Sequence, residues 1–447
     1  MVKKYYIITY GCQMNKSDSE RIAVELKKIK YKPTSSISEA DLIAVNMCSI
    51  RQSAVNRVYG LIQKFRKQKI KNPKLKTLLT GCILKKDLKK FKDYFDYILS
   101  IKTLPYWKNY FQEKTFLFYP NPRDEKFNND FKAGYLKIKP TPLNNFSALI
   151  PISNGCDNFC SFCVVPYTRG AEFSRPSKNI LKETKEFIKK GYKEIWLLGQ
   201  NVNEYNDKQG TSNNKQKISF SKLLKLIDNI PGNFWIRFTS SNPKDFSNEM
   251  IKTMAISKKI TPYLNLPIQS GNDKILKKMN RKYTIKDYKN LVKKIRKNFK
   301  EHREGLEKEI ALSTDIIVGF PSETRKQFND TVKIFKEIKF DMAYISKFSP
   351  RPETLAQKMK DDVSQKEKNR REKALTEMLK KIALKKNEKY INKTIEVLPT
   401  QFKNNFLIGK SRHYKTVKFK GRKELIGKFV KVKVTKAMAW GLNGKLI

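Results

Sequence analysis

Three of the chain's six cysteines fall within eight positions. The run SNGCDNFCSFCVVPYTRG (153–170) holds Cys156, Cys160 and Cys163, separated by three residues and then by two. Thiolates are soft ligands that suit zinc, copper(I) and iron–sulfur clusters. A structural zinc site closes with four ligands. The fourth would have to be His302 or His413, the two histidines of the chain, and neither is near the motif in sequence. Three thiolates on a four-iron cubane instead leave one iron without a protein ligand. An open iron can bind and activate a substrate, so the missing fourth cysteine reads as a reaction site.

The other three cysteines are far apart in sequence but share a context. Cys12, Cys48 and Cys82 each end an apolar, strand-like run: KYYIITYGC, ADLIAVNMC and LKTLLTGC. Between these runs lie two helical patterns, SDSERIAVELKKIK and RQSAVNRVYGLIQKFRKQK. Ser17 with Glu20 three residues on reads as the opening of the first. Strand, helix, strand, helix, strand predicts a parallel sheet. Ligands of open parallel sheets bind at the carboxyl ends of the strands. A lone cysteine there is more often a small buried hydrophobe. Three in one topological position predict a shared metal site. In a reducing cytosol, cysteines serve as metal ligands or catalysts rather than as disulfides.

The elements that must position the second triad follow a break in the pattern. Residues 119–146 read as a linker, with prolines at 120, 122, 140 and 142 and the polar run RDEKFNND. FSALIPISNGC then leads a series of strand-then-loop units: KEIWLLGQNVNEY, NFWIRFTSSNP, TPYLNLPIQSGN, IALSTDIIVGFP and DMAYISKFSPRP. Helical segments such as NILKETKEFIKKGY and RKQFNDTVKIFKEI separate several of them. This predicts a complete or partial β/α barrel, with NDKQGTSNNKQK (206–217) inserted in one loop. A charged helix, SQKEKNRREKALTEMLKKIALKKNEKY, precedes β-rich runs in which Val, Lys and Gly alternate. They suit a small barrel with a basic face. The expected fold is therefore α/β with three units. These are a parallel-sheet domain over residues 1–125, a β/α-barrel domain over 142–375 and a small β-barrel over 385–447.

The charge is lopsided, with 95 Lys and Arg against 42 Asp and Glu, a net +53. Such an excess attracts polyanions, and nucleic acid above all. Lysines spread over the whole chain would also give a merely solvated basic surface. The N-terminal apolar run is too short for a signal core, and no apolar stretch approaches the ~20 residues of a spanning helix. A cytoplasmic protein with no membrane partner is expected.

C-x-x-x-C-x-x-C resembles the signature of the radical S-adenosylmethionine (SAM) enzymes. In those enzymes the open iron takes the amino and carboxylate groups of SAM, which is cleaved to a 5′-deoxyadenosyl radical. Phe162 resembles the aromatic residue that packs near the adenine of SAM, although plain core packing would also account for it. TYGCQMN, GCDNFCSFCVVPYTRG, LLGQNVN, LPIQSGNDKILKKMNRKYT and TDIIVGFPSET together resemble the methylthiotransferases. LLGQNVN favours the branch that acts on isopentenyladenosine over those acting on threonylcarbamoyladenosine or on a ribosomal protein. LIGKFVKVKVTKAMAWGLNGKLI resembles the RNA-binding TRAM module.

The resemblance implies that Cys156, Cys160 and Cys163 hold the [4Fe–4S] cluster that takes SAM. It implies that Cys12, Cys48 and Cys82 hold an auxiliary [4Fe–4S] cluster for sulfur delivery, and that both clusters face one cavity. The implied substrate is tRNA whose adenosine next to the anticodon (position 37) carries an N6-isopentenyl group. The implied reaction places a methylthio group at carbon 2. An electron donor such as flavodoxin or ferredoxin is implied as a partner; the sulfur source is left open. No general base is expected, because carbon 2 of adenine is not acidic enough for one. The C-terminal module is expected to be separable from SAM cleavage. The chain departs from the family pattern at Met47, Asn242 and Glu353, where Thr, His and Gly are common, and GCILKK lacks the usual polar residues. No departure removes a cysteine.

Overall fold

The computed structural model describes residues 2–50, 52–113, 117–118, 134–208 and 217–447. The middle of the expected linker and most of the 206–217 insertion lie outside the described residues. The apolar runs of the first unit form a six-stranded parallel sheet in the order Lys32–Pro33, Lys4–Thr9, Leu42–Cys48, Lys76–Cys82, Tyr97–Leu99, Leu117–Phe118. Leu42–Cys48 is buried along its whole length, as a strand covered on both faces must be. The strand order reverses between Lys4–Thr9 and Leu42–Cys48. Such a switch point opens a crevice at the strand ends, and Cys12 and Cys48 follow the two strands that flank it.

The first helix starts earlier than expected, at Gln13. Its N-cap is Cys12, whose backbone N–H donates to the Asn15 side chain at 3.2 Å. Ser17 is not a cap: it is buried, and its hydroxyl donates to the Leu149 carbonyl at 3.2 Å. The Glu20 carboxylate accepts from the Leu143 N–H at 3.0 Å. This helix buries Ser17, Asp18 and Arg21 against the second domain, where they meet Leu149, Arg169 and Glu183, while Asn15 and Ser19 bond Asn46 of the first. Residues past the break are not loose either. Tyr135 and Leu136 are buried in the core of the first domain beside Trp107 and Leu104.

The second domain is a partial barrel of two three-stranded parallel sheets. Trp235–Phe238, Glu194–Leu198 and Ser147–Pro151 form one; Tyr263–Asn265, Ala311–Val318 and Met342–Lys347 form the other. A parallel bridge between Ile236 and Ile260 links them. One apolar core fills the interior, including Ile150, Leu197, Ile236, Leu264 and Leu312. The helix Gln365–Glu388 leads to a closed five-stranded barrel, Thr394–Lys403, Phe406–Ser411, Thr416–Lys420, Gly441–Leu446 and Val430–Met438. On Val430–Met438, Val432 and Val434 point in while Lys431 and Lys433 are exposed, the period of two that the sequence predicts.

The C-terminal barrel is not a detachable appendage. Asp341, which precedes the last strand of the second domain, pairs with Lys386 of the long helix and, at 2.7 Å, with Lys415 of the barrel. All three charges are largely out of water. Burial alone would raise the Asp341 carboxyl, but the two ammonium groups outweigh it and hold it at about 2, below the ordinary 3.8. A group depressed in the fold contributes stability above its unfolded value and loses it as pH falls through the folded value. Asp341→Asn strands two buried cations and should cost about 3–5 kcal/mol, read as a lower denaturant midpoint at neutral pH. The wild-type advantage over the variant should shrink as pH falls from near 4 toward 2. A constant difference across that range would show that this carboxylate does not join the modules.

Candidate active site: two cysteine triads on one cavity

Cys48 and Cys82 end adjacent parallel strands and are paired in register. Gly81 sits between strand and ligand at φ +108°, where a Cβ would lie 2.2 Å from the Met47 carbonyl oxygen. Only glycine allows the two strand ends to approach so closely. Cys12 joins them from the helix cap rather than from a strand end, since its strand stops at Thr9. Two asparagines fix that cap. Asn15 donates to the Asn46 side chain at 3.0 Å, and Asn46 donates back to the Asn15 carbonyl at 2.8 Å. Met47, the first departure, turns its side chain to the opposite face and into the apolar core, so it does not enter the site.

The second triad lies on the loop after Ser153–Asn154. Gly155 starts it at φ +87°, and a Cβ there would meet the Ala171 carbonyl oxygen at 2.0 Å. Phe159 is also held at positive φ, +44°. The Asn280 amide overdetermines it by donating to the carbonyls of Asn158 (3.2 Å) and Phe159 (2.9 Å). Asn158 donates to the Cys156 sulfur at 3.4 Å, and Arg281 donates to the Cys160 sulfur at 3.3 Å. Asn242, the second departure, bridges these supports: it donates to Asn158 at 3.2 Å and accepts from Arg281 at 3.1 Å. Glu353, the third, adopts φ +71° and accepts from the Lys85 N–H at 3.0 Å. It ties the second domain to the first helix turn after the first triad, a bond that glycine could not make.

Cys12, Cys156, Cys160 and Cys163 line one cavity of about 440 Å³. Cys48 and Cys82 are buried next to it. Phe162 lines the cavity and packs against the apolar cluster of Ile275, Met279 and Phe320. Neither histidine is there. His302 Nδ1 lies 2.9 Å from the Asn298 carbonyl, and the buried His413 lies against Leu306 and Tyr390. Among the described residues no group of three His, Cys, Asp or Glu side chains is close enough for a single metal ion. Cys82 and burial push the Cys48 thiol up, and burial with Cys160 does the same for Cys156. Burial, then Cys160, pushes Cys163 up to about 12. The all-sulfur donor set of each triad suits an iron–sulfur cluster.

Arg169 joins the triads, and no local signal in the sequence marks it. It lies six residues beyond Cys163 and is buried. Its guanidinium donates to the Cys82 sulfur at 3.0 Å, the Asp18 carboxylate at 2.6 Å, Asn154 at 3.0 Å and Tyr135 at 3.3 Å. Cys82 is held down at about 6, by the Cys48 thiol that donates to it and by Arg169, against the pull of burial. Arg351 does similar work from the other side, donating to the Ser49 carbonyl and to Gln52 and lying 3.6 Å from Asp87.

A model of the radical SAM superfamily matches residues 150–335, one of the "uncharacterized protein family UPF0004" matches 4–101, and a TRAM domain model matches 388–447. Among solved structures, the radical SAM methyltransferase TsrM from Kitasatospora setae superposes with a TM-score of 0.54 at 14% identity, over 80% of this chain and 77% of that one. The apo form of the radical SAM enzyme OxsB gives 0.51 at 11%, over 80% and 54%. At such identities the likeness is one of fold. In sequence the chain is 40% identical to the tRNA-2-methylthio-N(6)-dimethylallyladenosine synthase of Clostridium novyi (strain NT), over all of this chain and 97% of that protein. It is 38% identical to the enzyme of the same name from Thermoanaerobacter sp. (strain X514), over 99% and 92%. The chain belongs to this family of tRNA methylthiotransferases.

Replacing Arg169 with Met should leave Asp18 buried without its partner, a loss of about 3–5 kcal/mol. Arg169→Lys should recover part of it, because a point charge cannot reproduce the fork. Thermal unfolding measures both. If the Met variant is as stable as wild type, the guanidinium does not hold the domains together.

Proposed function

We propose that the chain places a methylthio group on carbon 2 of N6-isopentenyladenosine beside the anticodon of tRNA; its relatives are named tRNA-2-methylthio-N(6)-dimethylallyladenosine synthases. The observation that carries this is the single cavity shared by Cys12 and the Cys156–Cys160–Cys163 loop. Sulfur chemistry and radical chemistry must act on the same carbon, so the two sets of ligands must open onto one space. The proposed units are residues 1–125, 142–375 and 385–447.

Cys156, Cys160 and Cys163 would hold the cluster that takes SAM, and Cys12, Cys48 and Cys82 the auxiliary cluster. When bound, these groups supply a carbon-centred radical and an activated sulfur. The residues of the chain do the rest. Asn158 and Arg281 donate to the sulfurs of Cys156 and Cys160, which would tune those ligands and fixes the orientation of the loop. Phe162 lies where the adenine of SAM would pack. Asn15 and Asn46 fix the cap that presents Cys12. The first and second domains close the crevice through Arg169 and Arg351, which keeps water from a reactive intermediate. No side-chain base is needed for a hydrogen-atom transfer.

tRNA is the polyanion that the net charge of +53 fits, and the TRAM unit supplies a basic exposed face through Lys431 and Lys433. Binding should weaken with salt. The electron would come from a small donor such as flavodoxin or ferredoxin. Among the described residues no helix is long and apolar enough to cross a membrane.

Anaerobic reconstitution should give two clusters, about eight irons per chain. Alanine at Cys12, Cys48 and Cys82 together should halve the iron and abolish methylthiolation of tRNA while 5′-deoxyadenosine still forms. Alanine at Cys156, Cys160 and Cys163 should abolish 5′-deoxyadenosine. Circular dichroism controls for folding, since metal binding and folding are coupled. A folded first variant that methylthiolates tRNA at the wild-type rate would overturn the division of labour.

A further inference from the structure

The C-terminal barrel contributes one residue to the wall of the active cavity. Among the described lining residues Tyr414 alone comes from that barrel. It sits in the turn between Phe406–Ser411 and Thr416–Lys420, at φ +62°. A bulky residue in the left-handed region is strained. The strain is not relieved because the turn is held from several sides. Its N–H donates to the Ser411 carbonyl at 2.9 Å, and the Ser411 N–H to the Lys415 carbonyl at 3.0 Å. From beneath, the buried Arg237 donates to the carbonyls of Ser411 (2.8 Å) and Arg412 (3.0 Å). The same guanidinium is locked to Glu194 at 2.5 Å and Thr261 at 3.0 Å. A barrel arginine thus aims a loop of another module.

The ring that this strain positions stacks on Tyr263, with centroids 4.7 Å apart at 30°, and meets Trp196 edge-on at 5.4 Å. Lys410 lies 4.4 Å from its centroid. Tyr263, Trp196 and Tyr344 line the same cavity, and Tyr344 is half-exposed. The Tyr414 hydroxyl makes no hydrogen bond with the described residues. Strain held at such cost to the backbone belongs at sites where it serves a geometry. Aromatic walls, one of them with the Lys410 and Arg237 cations over its ring, suit an unstacked nucleobase, which single-strand RNA readers hold by stacking.

We propose that Tyr414 forms one wall of the subsite that receives the unstacked target base, so that the RNA-gripping module also reads the base. The proposal rests on the tRNA reading above and deepens it. A double-mutant cycle tests it, using anticodon stem-loop RNAs with either adenosine or an abasic residue at the target position. Holoenzyme should bind the adenosine RNA about tenfold more tightly than the abasic one. In Tyr414→Ala that preference should fall to about twofold or less, with abasic affinity unchanged. If the alanine variant fails to fold, Tyr414→Leu keeps the bulk and enters the same cycle. A general structural role would weaken both RNAs equally, and that outcome overturns the proposal, as does an undiminished preference. Wild-type enzyme that fails to methylthiolate isopentenylated tRNA would instead overturn the underlying function. Wild-type activity with no coupling to Tyr414 would remove only the subsite.

Discussion

Arg169 carries a positive charge into a place that water does not reach. Its neighbours there are a carboxylate on the first helix and a sulfur of the first cysteine triad, while its own backbone belongs to the loop of the second triad. A buried arginine is tolerated only when its fork is filled. Here the filling groups come from both sides of a domain boundary. Shifting one domain against the other would strip Asp18 and Arg169 of each other. The relative position of the two triads is thereby tied to a large electrostatic penalty. Arg351 makes a second such tie beside Cys48, through the Ser49 carbonyl and Asp87.

Arg237 repeats the device at the far wall of the cavity. It uses four partners to hold a strained turn of the C-terminal barrel against the second domain. Asp341 with Lys386 and Lys415 closes the remaining joint. Each of the three modules has its own apolar core. The cavity exists because buried charge pairs, rather than apolar contacts alone, fix how those cores meet. The C-terminal barrel also supplies Tyr414 to the cavity wall. Its removal would strip Arg237 of the Ser411 and Arg412 carbonyls and Asp341 of Lys415, and take away one wall.

Sequence pattern carried the architecture because strands, helices and turns write themselves locally. Apolar runs ending in Cys48 and Cys82 marked adjacent strand ends, and the spacing of Cys156, Cys160 and Cys163 marked a ligand loop. The alternation of Val432 and Val434 with Lys431 and Lys433 marked a barrel strand. Local rules failed where a tertiary contact overrode them. Ser17 and Glu20 look like a capping box, yet both face the second domain, and Cys12 with Asn15 caps the helix instead. Arg237, Asp18 and Tyr414 carry no local signature, since each acts on a residue of another module: Arg237 on Ser411, Asp18 on Arg169 and Tyr414 on Tyr263. The departures divide in the same way. Met47 is a core residue, whereas Asn242 and Glu353 hold the site together through contacts that no neighbouring residue announces.

The central claim is that two cysteine triads from different domains open onto one space. Electron paramagnetic resonance of the reduced, fully reconstituted protein tests it directly. Two clusters bound on one small cavity should couple magnetically. The spectrum should then show spin–spin broadening and enhanced relaxation that vanish when either triad is replaced by alanine. A spectrum equal to the sum of the two single-cluster variants would place the clusters far apart and contradict the account.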